Sequence, residues 1–266
     1  MALGRAAAAA LALSALAPVA AWADSYGAPP VDLQKRLDAL VAAYPEHLIS
    51  HNGKEITWRD GSTMRVSDGR TDKSFSELLD EPDIDDMFAF PYKKGAHPSA
   101  PPVRYDPGRI RYEPFFTKMY GDCRTARGAP PQTTVPWLKS KGGGVVRITT
   151  VNGVHQALAA VSAELERLPN KFVKFLKPNS GTYNCRKIAG TKRLSVHAFA
   201  AAIDINVKHA HYWKWAKPSG AGTYSWRNRI PMEIIEIFER HGFIWGGRWY
   251  HYDTMHFEYR PELLAE

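Results

Sequence analysis

The chain has 266 residues, with 35 Lys and Arg against 27 Asp and Glu, so its formal net charge is +8. This length fits one large domain, or a core domain with an extension. A basic balance is typical of nucleic-acid-binding proteins, but the sequence has no zinc-finger spacing and no basic motif interleaved with aromatic residues. Nucleic acid is therefore excluded as the expected partner.

The first 23 residues have the features of a secretory signal peptide. Arg5 is their only charged residue, an Ala- and Leu-rich run ends at Pro18, and Ala21-Trp22-Ala23 fits an A-x-A cleavage site. The run is too short for a spanning helix, which needs about 20 apolar residues. We expect a secreted or periplasmic protein without a membrane span. Its basic surface suits an anionic wall polymer or lipid, or provides solubility alone.

Residues 24–120 are predicted to form an N-terminal extension whose role the sequence does not specify. A short amphipathic helix is expected near its start, and the stretch 91–114 contains six prolines. Because proline cannot sustain a helix or a central strand, we expect that stretch to be an extended connection on the surface. The apolar positions of the predicted helix are Leu33, Leu37, Leu40 and Val41.

Residues 121–266 are predicted to form an α+β domain. Apolar positions at helical spacing predict a helix over 154–168, with Asn152 as its cap. A second helix is expected to start at Pro231 and to stop before Gly242. The helices fall between strands without a regular βαβ repeat, which favours α+β. The strand candidates are 145–150, 172–176, 182–188, 201–207, 243–245 and 255–259.

The chain has two cysteines, Cys123 and Cys185. Disulfides persist outside the cytoplasm, so we expect one bridge rather than two buried free thiols.

Two histidines and two acids predict a catalytic zinc site. Three nitrogen and carboxylate ligands hold such an ion, and a further carboxylate takes the proton of the attacking water. We expect His197, Asp204 and His256 to be the ligands and Asp253 to be the base. If 201–207 is a strand, His197 lies in the turn that leads into it.

Two neighbouring residues keep open roles. His251 is expected either to contact substrate or to be structural. Glu258 shares a strand face with His256 by the two-residue period, so it either supports the metal site or forms an ordinary ion pair.

These residues resemble the zinc D-alanyl-D-alanine carboxypeptidase and L-alanyl-D-glutamate endopeptidase family. The family pattern runs S-x-H-x-x-G-x-A-x-D, then W-G-G-x-W, then [DE]-x-x-H-F-E. The chain matches it from Ser195 to Asp204, with Trp245-Gly246-Gly247-Arg248-Trp249, and from Asp253 to Glu258. One departure is Ala200, which stands where the family usually has glycine.

The resemblance implies a hedgehog/DD-peptidase-like fold, an antiparallel sheet with flanking helices. It also implies zinc bound by His197, Asp204 and His256, and Asp253 as catalytic base. Arg186 corresponds to the family arginine that polarises the substrate carbonyl or binds a substrate carboxylate.

The expected function is hydrolysis of amide bonds in peptidoglycan stem peptides. The sequence leaves open whether the D-Ala-D-Ala bond or the L-Ala-D-Glu bond is cut, and it does not indicate an oligomeric state. One alternative is a hedgehog-like module that only binds a wall polymer or a protein. Another is a structural envelope protein tied by its disulfide.

Overall fold

The computed structural model describes residues 25–219 and 222–265. The predicted signal peptide, residues 1–23, lies outside them. Within the described ranges, no helix is both long and apolar enough to cross a membrane.

Helices and short antiparallel sheets alternate along the chain, which confirms the predicted α+β class. The helices are α1 (Leu33–Ala43), α2 (Phe75–Asp80), α3 (Glu113–Tyr120), α4 (Val154–Arg167), α5 (Val173–Leu176) and α6 (Met232–Arg240). The strands are β1 (Leu48–His51), β2 (Glu55–Trp58), β3 (Thr63–Arg65), β4 (Gln132–Pro136), β5 (Val145–Thr149), β6 (Ala202–Asp204), β7 (Phe243–Trp245) and β8 (His256–Tyr259).

Three antiparallel sheets organise these strands. The N-terminal sheet has the order β1-β2-β3, β4 pairs with β5, and the third sheet has the order β6-β8-β7. In the third sheet β8 is central, so its side chains are flanked by both neighbours. This sheet carries the C-terminal motifs.

One hydrophobic core connects the N-terminal elements with the C-terminal sheet. Leu37 of α1 and Trp58 of β2 belong to the same buried cluster as Phe238 of α6 and Phe257 of β8. The ring centroids of Phe238 and Phe257 lie 3.8 Å apart. Helix α6 therefore covers the face of β8, and the domain boundary near residue 120 stays a prediction.

Two of the strand predictions were wrong. Residues 172–176 lie in a 3-10 turn and α5 instead. A five-residue run with four apolar residues fits a buried strand or a helix equally well, so the pattern could not distinguish them. Residues 182–188 form no strand, and only Lys187 makes an isolated bridge, to Leu194. That segment is mostly exposed, so no sheet face requires it.

The cap of one helix and the length of one strand also differ from the predictions. Helix α4 begins at Val154 with Gly153 as its N-cap, because Asn152 has a left-handed φ of 54° and belongs to the preceding turn. The strand predicted over 201–207 spans only Ala202–Asp204. Asn206 caps a 3-10 helix there, since its side chain accepts a hydrogen bond from the Lys208 backbone N–H.

The proline-rich stretch 91–114 has no helix or strand before α3, as its composition predicted. It does not lie wholly on the surface, however. Asp106 is 0% exposed and Ile110 is 1% exposed. The expectation of a surface connection was therefore wrong for the middle of this segment, where a buried carboxylate anchors it.

Candidate metal centre

Two adjacent strands place Asp204 and His256 side by side. Asp204 ends β6, His256 begins β8, and the two residues are direct partners in the antiparallel register. Directly opposed residues project to the same face of a sheet. The register therefore brings a carboxylate and an imidazole together from positions far apart in the sequence.

A tight turn returns His197 to the same place. His197 lies in the 3-10 helix Val196–Phe199, which ends at Ala200 in the left-handed conformation with φ 50° and ψ 32°. The Ala200 backbone N–H donates to the His197 carbonyl over 3.1 Å. Ala200 thus keeps a conformation that glycine adopts without steric cost.

Three potential ligand atoms converge at this point. His197 Nε2 lies 3.3 Å from Asp204 Oδ2 and 3.2 Å from His256 Nδ1. His256 Nδ1 lies 2.9 Å from Asp204 Oδ1. Atoms about 2.1 Å from one zinc at tetrahedral angles would lie about 3.4 Å apart. The three residues therefore have the spacing of a small tetrahedral metal site, and they form one of two such groups in the described residues.

The outer partners of the two imidazoles determine which nitrogens face the centre. His197 Nδ1 lies 3.0 Å from the Thr182 carbonyl, and His256 Nε2 lies 3.0 Å from Glu258. A carbonyl and a carboxylate can only accept, so these ring nitrogens carry hydrogen. The neutral rings then direct their lone pairs inward, beside Asp204. Three acceptors facing one another repel unless a proton or a metal cation lies between them, and two imidazoles with one carboxylate are a donor set that fits zinc.

The pKa shifts of Asp204 and His256 indicate that the site favours a positive charge at its centre. Burial would raise the pKa of Asp204, but the neighbouring His197 and His256 hold it well below its usual range. Burial would lower the pKa of His256, but its bonds to Asp204 and Glu258 raise it to about 10. In the absence of a metal ion, the centre would therefore hold a proton.

Asp253 faces the same cleft, and one of its two carboxylate oxygens is left without a partner in the described part of the chain. Its Oδ1 is enclosed and has no hydrogen-bond partner among the described residues. Removal from water and the charge of Asp204 raise the pKa of Asp253 to about 7. A carboxyl group with this pKa exchanges a proton readily near neutral pH.

A cleft of about 340 Å³ brings the five predicted site residues together. Arg186 lies on the exposed wall of this cleft, and its Nη1 donates to the Lys187 carbonyl over 3.4 Å. The lining residues include His197, Asp204, Asp253, His256, Arg186, Arg109, Arg111, Tyr212, Trp213, Trp215, Trp249 and His251.

Two arginines of the cleft were not anticipated from the sequence. Arg111 pairs with Glu258, with Nε 3.0 Å from Oε1, and lies over the Trp249 ring. Arg109 pairs with the buried Asp106. Both belong to the proline-rich stretch, where only the closely spaced basic residues Arg109-Ile110-Arg111 give any sequence signal.

The structure shows the contacts of the two residues whose roles were open. Glu258 contacts His256 and also forms ion pairs with Arg111 and Arg260. Glu258 therefore forms ion pairs and also contacts a predicted ligand, and its support of a metal stays a prediction. His251 lines the cleft, and its Nδ1 lies 2.6 Å from Asp106 Oδ2. Asp106, which belongs to the proline-rich stretch, therefore fixes the position of the His251 ring.

Comparison with protein families identifies the segment that carries this centre. Residues 189–259 match a family model described as D-alanyl-D-alanine carboxypeptidase. The match confirms the resemblance that the motifs predicted and supports a peptidase acting on peptidoglycan that contains D-Ala-D-Ala. Comparisons with curated proteins and with solved structures each gave no significant match.

Proposed function

Because residues 189–259 match the D-alanyl-D-alanine carboxypeptidase family, we propose that this protein is an exported zinc peptidase that hydrolyses an amide bond in peptidoglycan stem peptides. The observation that carries the proposal is the convergence of three inward-facing acceptors beside the buried carboxylate of Asp253, whose Oδ1 has no hydrogen-bond partner among the described residues. His197, Asp204 and His256 would hold the ion. Bound zinc supplies Lewis acidity, which polarises a carbonyl and lowers the pKa of water.

Asp253 is the proton carrier in this proposal. It takes a proton from the attacking water as the carbonyl carbon is attacked, and it delivers that proton to the departing amine as the C–N bond breaks. Oδ1 accepts no hydrogen bond from the described residues, so the protein does not already occupy the lone pairs that would take this proton.

Arg186 acts on the substrate rather than on the metal. Its guanidinium repels a cation, but its planar donors suit a carboxylate or a developing oxyanion. Cys185, the preceding residue, is bonded to Cys123. This bond supports the proposal in a second way, since disulfides persist in secreted and periplasmic proteins.

The test is digestion of purified peptidoglycan with the zinc-loaded protein, with products identified by mass. We expect release of D-Ala or cleavage between L-Ala and D-Glu. Asp253→Asn should abolish release and keep the metal, because Asp253 does not belong to the ligand triad. Asp72→Asn is the matched control, since that side chain is 83% exposed.

The proposal fails if wild type with full zinc releases no product, a result that would favour a module that only binds. Loss of zinc in Asp253→Asn would instead mean that Asp253 is a ligand. Arg186→Ala should keep zinc and lower kcat/KM by on the order of a hundredfold, the effect of removing one oxyanion-stabilising donor.

A further inference from the structure

The N-terminal part of the chain contributes a cationic side chain to the cleft. Arg109 lines it, although it lies far outside the matched residues 189–259. Its side chain is 13% exposed, and its Nη1 lies 2.6 Å from Asp106 Oδ2. Asp106 is completely buried and also accepts from the backbone N–H and Nδ1 of His251. Arg109 is therefore tied to the cleft wall by a rigid anchor.

Arg109 has hydrogen-bonding capacity that its anchor does not use. A guanidinium has five N–H donors, and within residues 25–219 and 222–265 only Nη1 of Arg109 has an acceptor. Arg111 differs, because Glu258 and the Arg109 carbonyl occupy its donors. The donors of Arg109 are thus available to an anion in the cleft.

The charges of Arg109 and Arg186 both reach Tyr212, although the two arginines belong to segments far apart in the sequence. The charges of both oppose the burial that raises the pKa of Tyr212. Tyr212 forms an isolated backbone bridge with Asp253. The two arginines are held by unrelated anchors, Asp106 in one case and the disulfide at Cys185 in the other.

We propose that Arg109 forms a second anion subsite, which binds a carboxylate of the substrate peptide other than the one that Arg186 binds. An arginine fork suits a carboxylate because two parallel N–H donors match its two oxygens. The identity of the ligand as a wall peptide rests on the proposed function. The preferred ligand is accordingly a peptide with two free carboxylates.

Binding to the metal-free protein tests the subsite without turnover. The probes are a stem peptide with free carboxylates on D-Glu and at the C terminus, its two single carboxamides, and the double carboxamide. Dissociation constants are measured by calorimetry. For wild type, each carboxamide should weaken binding by about tenfold to a hundredfold, the effect of losing one charge-assisted hydrogen bond.

Each arginine variant should lose the discrimination at one carboxylate. Arg109→Gln should bind one of the two single carboxamides with the same affinity as the diacid. Arg186→Gln should bind the other single carboxamide with the same affinity as the diacid. Arg109→Lys should recover part of the discrimination, because it keeps the charge but loses the planar fork. Arg240→Gln is the matched control, since Arg240 is half exposed and pairs with Glu164. The double carboxamide should bind all variants equally, which shows that the cleft is intact.

Two results would overturn the subsite. Arg109→Gln could weaken all four peptides equally, which would make Arg109 structural, or both variants could lose discrimination at the same carboxylate, which would mean one shared site. Hydrolysis is scored separately. If the protein distinguishes the carboxylates from the carboxamides but does not hydrolyse the peptide, the proposed peptidase is refuted and the subsite is kept. If it hydrolyses the peptide but binds all four peptides equally well, the subsite is refuted and the peptidase is kept.

Discussion

Glu258 fixes the orientation of His256 from the side opposite the metal centre. Their Nε2 and Oε2 atoms lie 3.0 Å apart. Glu258 is 0% exposed, and burial would raise its pKa, but Arg111 and His256 hold it well below its usual range. A buried carboxylate that stays ionised increases the basicity of the imidazole it contacts.

Glu258→Gln should therefore lower zinc affinity by about tenfold to a hundredfold, the usual effect of losing an outer partner of a metal ligand. Competition with a chromophoric chelator measures the affinity, and circular dichroism confirms the fold. Glu236→Gln, on the exposed face of α6, is the control. Equal zinc affinity in wild type and Glu258→Gln would show that Glu258 serves only its ion pairs with Arg111 and Arg260.

A second group of acids should make stability depend on pH. Lys73 lies 3.5 Å from Asp83 and 2.5 Å from Asp86, and all three are buried. Burial and the neighbouring charge of Asp83 raise the pKa of Asp85 to about 8. An unfolded Asp titrates near 3.9, so the folded state binds one more proton between the two values. The free energy of unfolding should fall as pH rises through that window.

Asp85→Asn should remove this part of the pH dependence, because the amide stays neutral. Relative to wild type, we expect the variant to gain little near pH 4 and on the order of 5 kcal/mol above about pH 8, since about four pKa units correspond to about 1.4 kcal/mol each. Urea unfolding of both proteins across this range measures the difference. Parallel curves at every pH would show that Asp85 is already ionised in the folded protein.

The bond between Cys123 and Cys185 closes a long loop, with the two residues 62 positions apart. In the chain-entropy estimate, a loop of this size stabilises the fold by about 4 kcal/mol. The double substitution Cys123→Ser, Cys185→Ser should lower the free energy of unfolding by that order. Thiol titration of unreduced, denatured wild type should find no free thiol, and two reactive thiols would refute the bond.

Ala200→Gly should stabilise the protein. Ala200 has a positive φ of 50°, a conformation that costs an L-residue about 1–2 kcal/mol. Glycine loses more backbone freedom on folding, by roughly 0.5–1 kcal/mol, so the net gain should be about 0.5–1 kcal/mol. Ala202→Gly in β6 is the control and should destabilise, because its conformation is extended. A lower melting temperature for Ala200→Gly would contradict the argument.

The sequence predicted the site better than its surroundings. His197, Asp204 and His256 lie in short motifs whose order and residue types directly specify a zinc donor set, so their convergence could be predicted without coordinates. Arg109 could not be identified in this way, because its place depends on how Asp106 becomes buried against His251. Such contacts between distant segments leave no local periodicity. The run over 172–176 was predicted wrongly for a different reason, because a short, mostly apolar run fits a strand or a helix equally well.

The hydroxyl of Tyr44 donates to Glu262 over 2.6 Å, although 218 positions separate the two residues. Glu262 also accepts a hydrogen bond from Nε of Arg260, and all three residues are fully buried. The end of helix α1 therefore packs against a segment that lies only a few residues after His256. A chain that emerges from a membrane pore N-terminus first must hold its early helix unpaired until the last residues arrive. If this protein is exported as proposed, the predicted ligand His256 and the partner of α1 would arrive together, and the site would be completed only when translocation is nearly finished.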